Sequence, residues 1–103
     1  MQIKSKKVKD SLFIYLNGEL DECSSYECRA LLDRLFDEAE DVKKVIFEMG
    51  NLKFMDSTGI GVLIGRYKKL KSKNIGLYLQ NPPLHIEKII QLSGLYSIMP
   101  KIG

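Results

Sequence analysis

The sequence has few of the side chains that build metal centres or disulfide frameworks. Among its 103 residues there is one histidine, His85, and there are two cysteines, Cys23 and Cys28. Structural zinc sites take four Cys or His ligands, and catalytic zinc sites take three protein ligands. No second Cys or His pair accompanies the two cysteines, so the sequence predicts no metal site.

Long apolar runs and targeting signals are also missing. The longest uncharged apolar run is GIGVLIG, Gly59–Gly65, whereas a helix that crosses a bilayer needs about 20 such residues. The N-terminal MQIKSKKVKD carries charges without an apolar segment behind them, so it does not have the pattern of a secretion signal. We expect a cytoplasmic protein with no membrane partner.

The composition favours one compact unit. Hydrophobic residues make up 45% of the chain, which is enough to close a core without disulfides. No repeat or linker interrupts the sequence, which predicts a single domain over residues 1–103. The net charge is only +3, but basic residues bunch at Lys4–Lys9 and Arg66–Lys73. The second bunch suits a helix C-terminus, and without a base-reading motif we expect no nucleic acid partner.

Hydrophobic periodicity predicts that strands and helices alternate along the chain. Strands are expected at Ile3–Val8, Leu12–Leu16, Lys44–Met49 and Ile75–Leu79, with an optional edge strand within Tyr96–Ile102. Helices are expected at Ser24–Glu40, from the MDST motif to Ser72–Asn74, and from Asn81 to Gly94. The order β-β-α-β-α-β-α(-β) predicts an α/β fold with a mixed four- to five-stranded sheet, right-handed crossovers and an antiparallel edge hairpin.

The start of the first helix has a capping signal. Ser24 and Glu27 fit a capping box, with the serine as N-cap and the glutamate three positions later. Cys23 and Cys28 then take the two positions of a hydrophobic staple. The sequence therefore predicts that both cysteines have a packing role.

The other two helices carry glycine and proline signals. Asn81-Pro82 fits an N-cap followed by proline at the first helical position, and Gly94 lies where a C-terminal glycine cap belongs. Gly61 and Gly65 lie one turn apart and are predicted to permit close packing of the second helix. His85 is expected on the exposed side of the third helix.

The densest cluster of polar residues and glycines is FMDSTGIG, Phe54–Gly61, at a predicted strand-to-helix turn. Asp56, Ser57 or Thr58 can each cap the N–H groups that lack partners at a helix start. Catalytic motifs do not fit the cluster. Aspartic proteases need one residue between the aspartate and the glycine, and the nucleophile elbow needs Gly-x-Ser-x-Gly. With no base, metal set or triad beside the serine, we predict that the chain is not an enzyme.

Ser57 is instead predicted to be modified by another protein. A serine at an exposed helix start next to glycines is a sterically open acceptor. The helix dipole and free N–H groups would tolerate a phosphate there, while the phosphate adds close to two negative charges beside Asp56. We therefore expect the fold to survive phosphorylation and a partner surface to be disrupted by it.

Three motifs follow one another along the chain: GELD at Gly18–Asp21, FMDSTGIGVLIGRYKKLK at Phe54–Lys71 and LSGLYSIM at Leu92–Met99. In this order they resemble the STAS-domain anti-anti-sigma factors, most closely the sporulation type, over nearly the whole chain. The resemblance implies a STAS fold and a protein that competes with a sigma factor for an anti-sigma factor that is also a serine kinase. In that family the unphosphorylated form binds the kinase and frees the sigma factor.

The resemblance also assigns roles to residues. The kinase phosphorylates the first hydroxyl after the motif aspartate, here Ser57, and a PP2C-type phosphatase reverses the reaction. Asp21 matches an acidic position at the partner surface, and Asp56, Thr58 and Gly59 match the rest of the acceptor loop. No cofactor and no catalytic residue is implied for this chain, because ATP and Mg²⁺ belong to the kinase.

Two alternatives to the sporulation type remain open. General stress-response members share MDSTG, and the sporulation assignment rests on softer features such as Gly65-Arg66-Tyr67. A STAS scaffold or ligand-sensing module without phosphorylation is the second alternative. Sporulation-type members continue into a further C-terminal helix, whereas this sequence stops at Gly103. Packing over Lys44–Met49 or Tyr96–Ile98 is therefore expected to differ.

Overall fold

A computed structural model describes all residues from Met1 to Gly103. The strands are β1 (Gln2–Val8), β2 (Ser11–Leu20), β3 (Lys44–Glu48), β4 (Leu52–Met55), β5 (Gly76–Gln80) and β6 (Lys101–Ile102). The helices are α1 (Ser25–Glu38), α2 (Ser57–Lys71) and α3 (Leu84–Ser93), and a short 3-10 turn follows at Leu95–Ser97. The order of elements matches the prediction except for one additional strand.

The strands form a six-stranded sheet in the spatial order β1-β2-β3-β5-β6, and β4 pairs with β2. β1 is antiparallel to β2, with Ile3 opposite Leu16 and Val8 opposite Ser11. The other pairs are parallel. Lys9 has a left-handed backbone conformation, with φ at 55°, in the turn that joins β1 to β2. The predicted mixed sheet with an antiparallel edge hairpin is therefore confirmed.

Strand β4 is the element that the sequence does not predict. It has four residues, two of them exposed between two buried ones, so it shows no clear period. It forms because β2 extends to Leu20 and offers its end for parallel pairing, with Gly18 opposite Leu52 and Leu20 opposite Met55. The sheet therefore has six strands instead of four to five. The expected edge strand is present as β6, which pairs with β5.

One hydrophobic core lies between the sheet and the helices. Alternate residues of β2, namely Leu12, Ile14 and Leu16, are buried and belong to this core. The helices contribute Cys28, Leu32, Phe36, Val62, Leu63, Leu70, Ile86 and Ile90. Because all three helices share a core with the same face of β2, the predicted apolar stripes face the sheet.

Ion pairs join α1 to α2. Asp33 lies 3.1 Å from Arg66 and 3.5 Å from Lys69, and Asp37 lies 3.3 Å from both Lys69 and Lys73. The contact between Arg66 Nε and Asp33 Oδ1 lacks the alignment of a hydrogen bond, so it is a charge contact. Three of the cations bunched at Arg66–Lys73 therefore form ion pairs within the chain.

The ends of α3 test two cap predictions. Gly94 ends the helix in the left-handed conformation, with φ at 75°, as predicted. The N-cap is Pro83, and Asn81 lies outside the helix with φ at 56°. The predicted N-cap is therefore wrong. Pro83 explains the difference, because a residue that precedes proline is disfavoured in the helical conformation and Pro82 cannot begin the helix.

Gly61 and Gly65 do not pack closely. A Cβ atom added at either position would meet no atom within 4 Å. The prediction that these glycines permit close packing is therefore wrong. Both positions face open space because the side of α2 that packs on the sheet is the side of Val62 and Leu63, which are buried.

Candidate functional site

The two acidic turns of the sequence lie side by side. Leu20 at the end of β2 pairs with Met55 at the end of β4, and the Asp56 N–H donates to the Leu20 carbonyl at 3.4 Å. Asp21 and Asp56 are the next residues of these two parallel strands, so they leave the sheet at the same edge. The GELD and MDST motifs are thus brought together into one surface.

Asp56 is the N-cap of α2. Its Oδ1 atom accepts hydrogen bonds from the N–H groups of Thr58 at 2.9 Å and Gly59 at 3.1 Å. Its carbonyl accepts from the Ile60 N–H at 3.1 Å, which begins the helical ladder. Of the three candidate caps, the aspartate is used because it precedes the first helical residue in an extended conformation.

The cap leaves the Ser57 hydroxyl free. Ser57 is the first residue of α2 and is exposed. Thr58 is half-buried, which makes its hydroxyl less accessible than that of Ser57. The N–H groups of Thr58 and Gly59 already donate to Asp56. A phosphate added to Ser57 would therefore compete with Asp56 for these two donors. It would project from the turn toward whatever contacts this face.

Gly59 faces the sheet and not the solvent. It is buried, and a Cβ atom added there would lie 2.6 Å from the Leu20 carbonyl oxygen and 2.6 Å from Met55 Cγ. Any side chain at this position would push α2 away from β2 and β4. Gly59 therefore fixes how closely the acceptor turn approaches the Asp21 turn.

Asp21 caps the turn before α1 in the same way. Its Oδ1 atom accepts from the N–H groups of Cys23 at 3.0 Å and Ser24 at 3.1 Å, and its carbonyl accepts from the Ser25 N–H at 3.0 Å. Ser24 is helical in conformation and makes no side-chain cap. Its hydroxyl donates to the Glu19 carbonyl at 2.7 Å. The predicted capping box is therefore wrong, because Asp21 does the capping one turn earlier.

The earlier cap also changes the positions of the cysteines. Cys28 is buried in the core, but Cys23 is exposed, so the predicted hydrophobic staple is not formed. Burial raises the pKa of the Cys28 thiol to about 11, against the opposing effect of the Arg66 charge. Cys23 is the accessible thiol of the chain, and it lies on the Asp21 turn.

An acidic cleft adjoins the Asp21 turn. It has a volume of about 450 Å³ and is lined in part by Glu19, Asp21, Glu27 and Lys53. Three carboxylates face two cationic groups, the Lys53 ammonium and the amino group of Met1, which also lines the cleft. The small excess of negative charge suits a partner with basic side chains. Glu19 and Lys53 were not predicted as site residues, because no local sequence pattern indicates the pairing of β2 with β4 that brings them together.

Helix α3 is attached to the same edge. His85 is exposed, as predicted, and its Nε2 atom lies 2.7 Å from the Lys53 carbonyl oxygen. Phe54, the next residue of β4, is 46% exposed. The face around Ser57 thus combines an apolar side chain with the carboxylates of the two turns, a mixture typical of protein interfaces.

Two further observations bear on the class of site. No group of three or more His, Cys, Asp or Glu side chains lies close enough together to hold a metal ion. No helix has both the length and the apolar character required to cross a bilayer.

Comparison with known proteins identifies relatives over the whole chain. The family model described as the STAS domain matches residues 2–103. An anti-sigma F factor antagonist from Paenibacillus polymyxa is 34% identical over 102 residues, which cover 97% of this chain and 85% of that protein. An anti-sigma-B factor antagonist from Bacillus subtilis is 25% identical over 99 residues, which cover 96% and 88% respectively.

Solved structures agree with the sequence relatives. The anti-sigma factor antagonist SpoIIAA in its unphosphorylated form has a TM-score of 0.80 and 28% identity, over 99% of this chain and 89% of that chain. The phosphorylated form of SpoIIAA, a Bacillus cell fate determinant, has a TM-score of 0.71 and 30% identity, over 99% and 92%. The fold, the two adjoining turns and these relatives together assign the chain to the family of STAS-domain anti-sigma factor antagonists.

Proposed function

We propose that this chain binds an anti-sigma factor through the face formed by the Asp21 turn and by Asp56, Ser57 and Thr58, and so releases a sigma factor. Gly59 is buried behind this face and supports it from within. Phosphorylation of Ser57 by the serine kinase activity of that anti-sigma factor switches the binding off, and a PP2C-type phosphatase restores it. The chain acts as a binding partner and phosphate acceptor, and the chemistry belongs to the other proteins.

The observation that carries this proposal is the free, exposed hydroxyl of Ser57 on a rigid turn. The cap by Asp56 holds the backbone of the turn through two hydrogen bonds, and the Ser57 side chain projects from this held backbone. Asp21 is held in the same manner on the neighbouring turn. A preorganised surface of this kind loses little entropy when a partner binds.

The charges of the face support control by phosphorylation. A phosphate on Ser57 would add close to two negative charges beside Asp56, whose N–H partners are already engaged. These charges would therefore be presented to the bound partner. A partner surface that is complementary to a neutral serine would bind the phosphorylated form more weakly, without any change in the fold of this chain.

The sporulation sigma-F pathway is the favoured context. The identity with the anti-sigma F factor antagonist is 34%, against 25% for the anti-sigma-B factor antagonist. SpoIIAA is known in both unphosphorylated and phosphorylated forms, which supports the proposed switch by phosphorylation.

The test is co-expression of the chain with each serine-kinase anti-sigma factor of its host, followed by intact mass measurement and peptide mapping. We expect one phosphoryl group on Ser57, and none after Ser57→Ala. Ser72→Ala is a matched control, because Ser72 is also exposed and lies at the other end of α2. A chain that stays unmodified beside an active kinase would favour the scaffold alternative.

A further inference from the structure

Two side chains of the hydrophobic core stay more exposed than the rest. Most core side chains are at most 3% exposed, but Leu12 retains 6% and Phe36 retains 5%. Both residues line the same cavity, which has a volume of about 230 Å³. Leu12 also lines a neighbouring cleft, together with Glu38, so the core is most exposed on this side of the molecule.

The walls of this cavity are apolar. Seven of the eight lining residues are hydrophobic: Leu12, Phe36, Ala39, Val42, Val45, Leu70 and Ile75. They come from the ends of α1 and α2, the beginnings of β2 and β3, and the adjoining loops. A cavity of about 150 Å³ lined by such side chains is sufficient to bind benzene, so this one has room for an aromatic ring with a short chain attached.

The eighth lining residue is Asp41. It is exposed and lies in the loop between α1 and β3, where φ is 56°. Its carboxylate takes part in none of the ion pairs of the chain, whereas nearby Asp37 pairs with Lys69 and Lys73. Asp41 is the only charged residue among those that line the cavity, and the other seven are hydrophobic.

We propose that this cavity is a binding site for a small amphiphilic amine, with an apolar body the size of a phenyl ring and an ammonium head that pairs with Asp41. A carboxylate without an internal partner selects a cation, and an apolar wall selects a hydrocarbon body. A carboxylic acid or phosphate ester would be disfavoured, because its charge has the sign of Asp41.

The site is separate from the proposed partner face. Leu70 lines the cavity near the C-terminal end of α2, whereas Ser57 begins the same helix. An α-helix rises 1.5 Å per residue, so the two ends are roughly 20 Å apart. A small ligand in the cavity therefore leaves Ser57 accessible, and this proposal does not depend on the proposed function.

Titration of the ¹⁵N-labelled full chain with phenethylamine, followed by amide chemical shifts, tests the proposal. A ligand of this size binds with a dissociation constant on the order of millimolar. We expect saturable shifts at residues that line the cavity, and none at the Asp21 and Ser57 turns. The neutral analogue 2-phenylethanol should bind the same residues more weakly.

Substitutions distinguish the contribution of the Asp41 charge from that of the apolar cavity. Asp41→Asn should weaken binding of the amine by about fivefold and leave binding of the alcohol unchanged. Glu38→Gln is the matched control, since Glu38 is exposed nearby but does not line this cavity, and it should change neither. Ala39→Leu, which fills the opening, should abolish binding of both compounds.

Three results would overturn the proposal. Shifts that fail to saturate, or that spread over surface residues, would mean that there is no site. If Asp41→Asn weakened binding of the amine and of the alcohol equally, the Asp41 carboxylate would not be the group that recognises the ammonium. If Glu38→Gln weakened amine binding as much as Asp41→Asn, the preference for amines would come from the general surface charge and not from Asp41. Asp41 is exposed, so the Asp41→Asn result does not depend on how well the core tolerates the filled cavity.

Discussion

At the scale of single residues, Gly59 is the position where α2 comes closest to the sheet. Gly59→Ala would place Cβ 2.6 Å from the Leu20 carbonyl oxygen, which is a backbone atom that cannot turn aside. We expect the free energy of unfolding to fall by roughly 1 to 3 kcal/mol, as for other overpacked sites, measured by urea denaturation.

The matched control lies on the same helix. Gly61 is exposed, and an added Cβ would meet nothing within 4 Å. Gly61→Ala should therefore raise the free energy of unfolding by roughly 0.5 to 1 kcal/mol through helix propensity alone. Equal effects of the two substitutions would show that contact with Leu20 does not limit the position of the helix.

The two thiols should differ sharply in reactivity. Cys23 is exposed and Cys28 is buried with its pKa raised to about 11, and the thiolate is the reactive form. We expect a disulfide reagent at about pH 8 to modify one thiol of the native chain rapidly and the second only after unfolding. Cys23→Ser should remove the fast phase, and a fast phase that survives this substitution would contradict the assignment.

The sequence predicted that Asp21, Asp56, Ser57 and Thr58 belong to one site, and the fold brings them to one edge of the sheet. It did not predict which of them cap a helix or turn. Asp56, Ser57 and Thr58 are all good N-caps, so a sequence pattern cannot choose among them. Likewise Ser24 fits a capping box, but Asp21 lies one turn earlier and its carboxylate has the stronger hydrogen bonds. Which residue becomes the cap depends on where β2 and β4 end. These ends are set by the pairing of the two strands, which are far apart in the sequence.

At the scale of elements, the packing of α1 on α2 contains a charge that responds to pH. Hydrogen bonds from Lys69 and Lys73 hold the pKa of Asp37 below its usual value of 3.8. A carboxyl group whose pKa is lower in the folded than in the unfolded chain stabilises the fold above the unfolded pKa. That contribution is lost as the pH falls through the folded pKa.

We therefore expect Asp37→Asn to lower the free energy of unfolding at about pH 6 and to make no difference once the pH is below the folded pKa of Asp37. The effect should be small and should shrink with added salt, because Asp37 is at the surface. Urea denaturation across this pH range is the measurement, with Glu38→Gln as a control outside the ion pairs. A difference between wild type and Asp37→Asn that persists in acid would contradict the role of charge.

Elements with a strong period were predictable, and β4 was not. Helices α1 and α2 and strands β2 and β3 follow from apolar residues at spacings of a helix or a strand, and the more polar β1 was predicted as the hairpin partner of β2. β4 has only four residues and forms because it pairs with the last residues of β2. No pattern within Leu52–Met55 therefore identifies it as a strand. The start of α3 was misplaced because Asn81-Pro82 fits a capping pattern that Pro83 then prevents.

At the scale of the whole molecule, the proposed switch changes a surface and leaves the fold unaltered. Ser57 is exposed at the first position of α2, so Ser57→Asp should change the free energy of unfolding by no more than about 0.5 kcal/mol. The same substitution should weaken binding to the anti-sigma factor by about tenfold or more, since like charges across an interface are costly.

Ser57→Asn is the neutral control for this prediction, because it has nearly the same shape as aspartate. Calorimetric titration of each variant with the anti-sigma factor would separate charge from shape. If the asparagine variant bound as weakly as the aspartate variant, steric fit would replace charge as the cause.

The shared geometry of the two turns gives Ser57 an internal counterpart. In each turn the aspartate carboxylate accepts from the N–H groups two and three residues later, and its carbonyl accepts from the fourth. Glu22 follows Asp21 just as Ser57 follows Asp56. The first turn thus already carries a permanent negative charge at the position that a phosphate would occupy in the second. Before phosphorylation only the Asp21 turn has a negative charge at this position, and after phosphorylation both turns have one. A partner that binds only the unphosphorylated form would therefore respond to the difference in charge between the two turns.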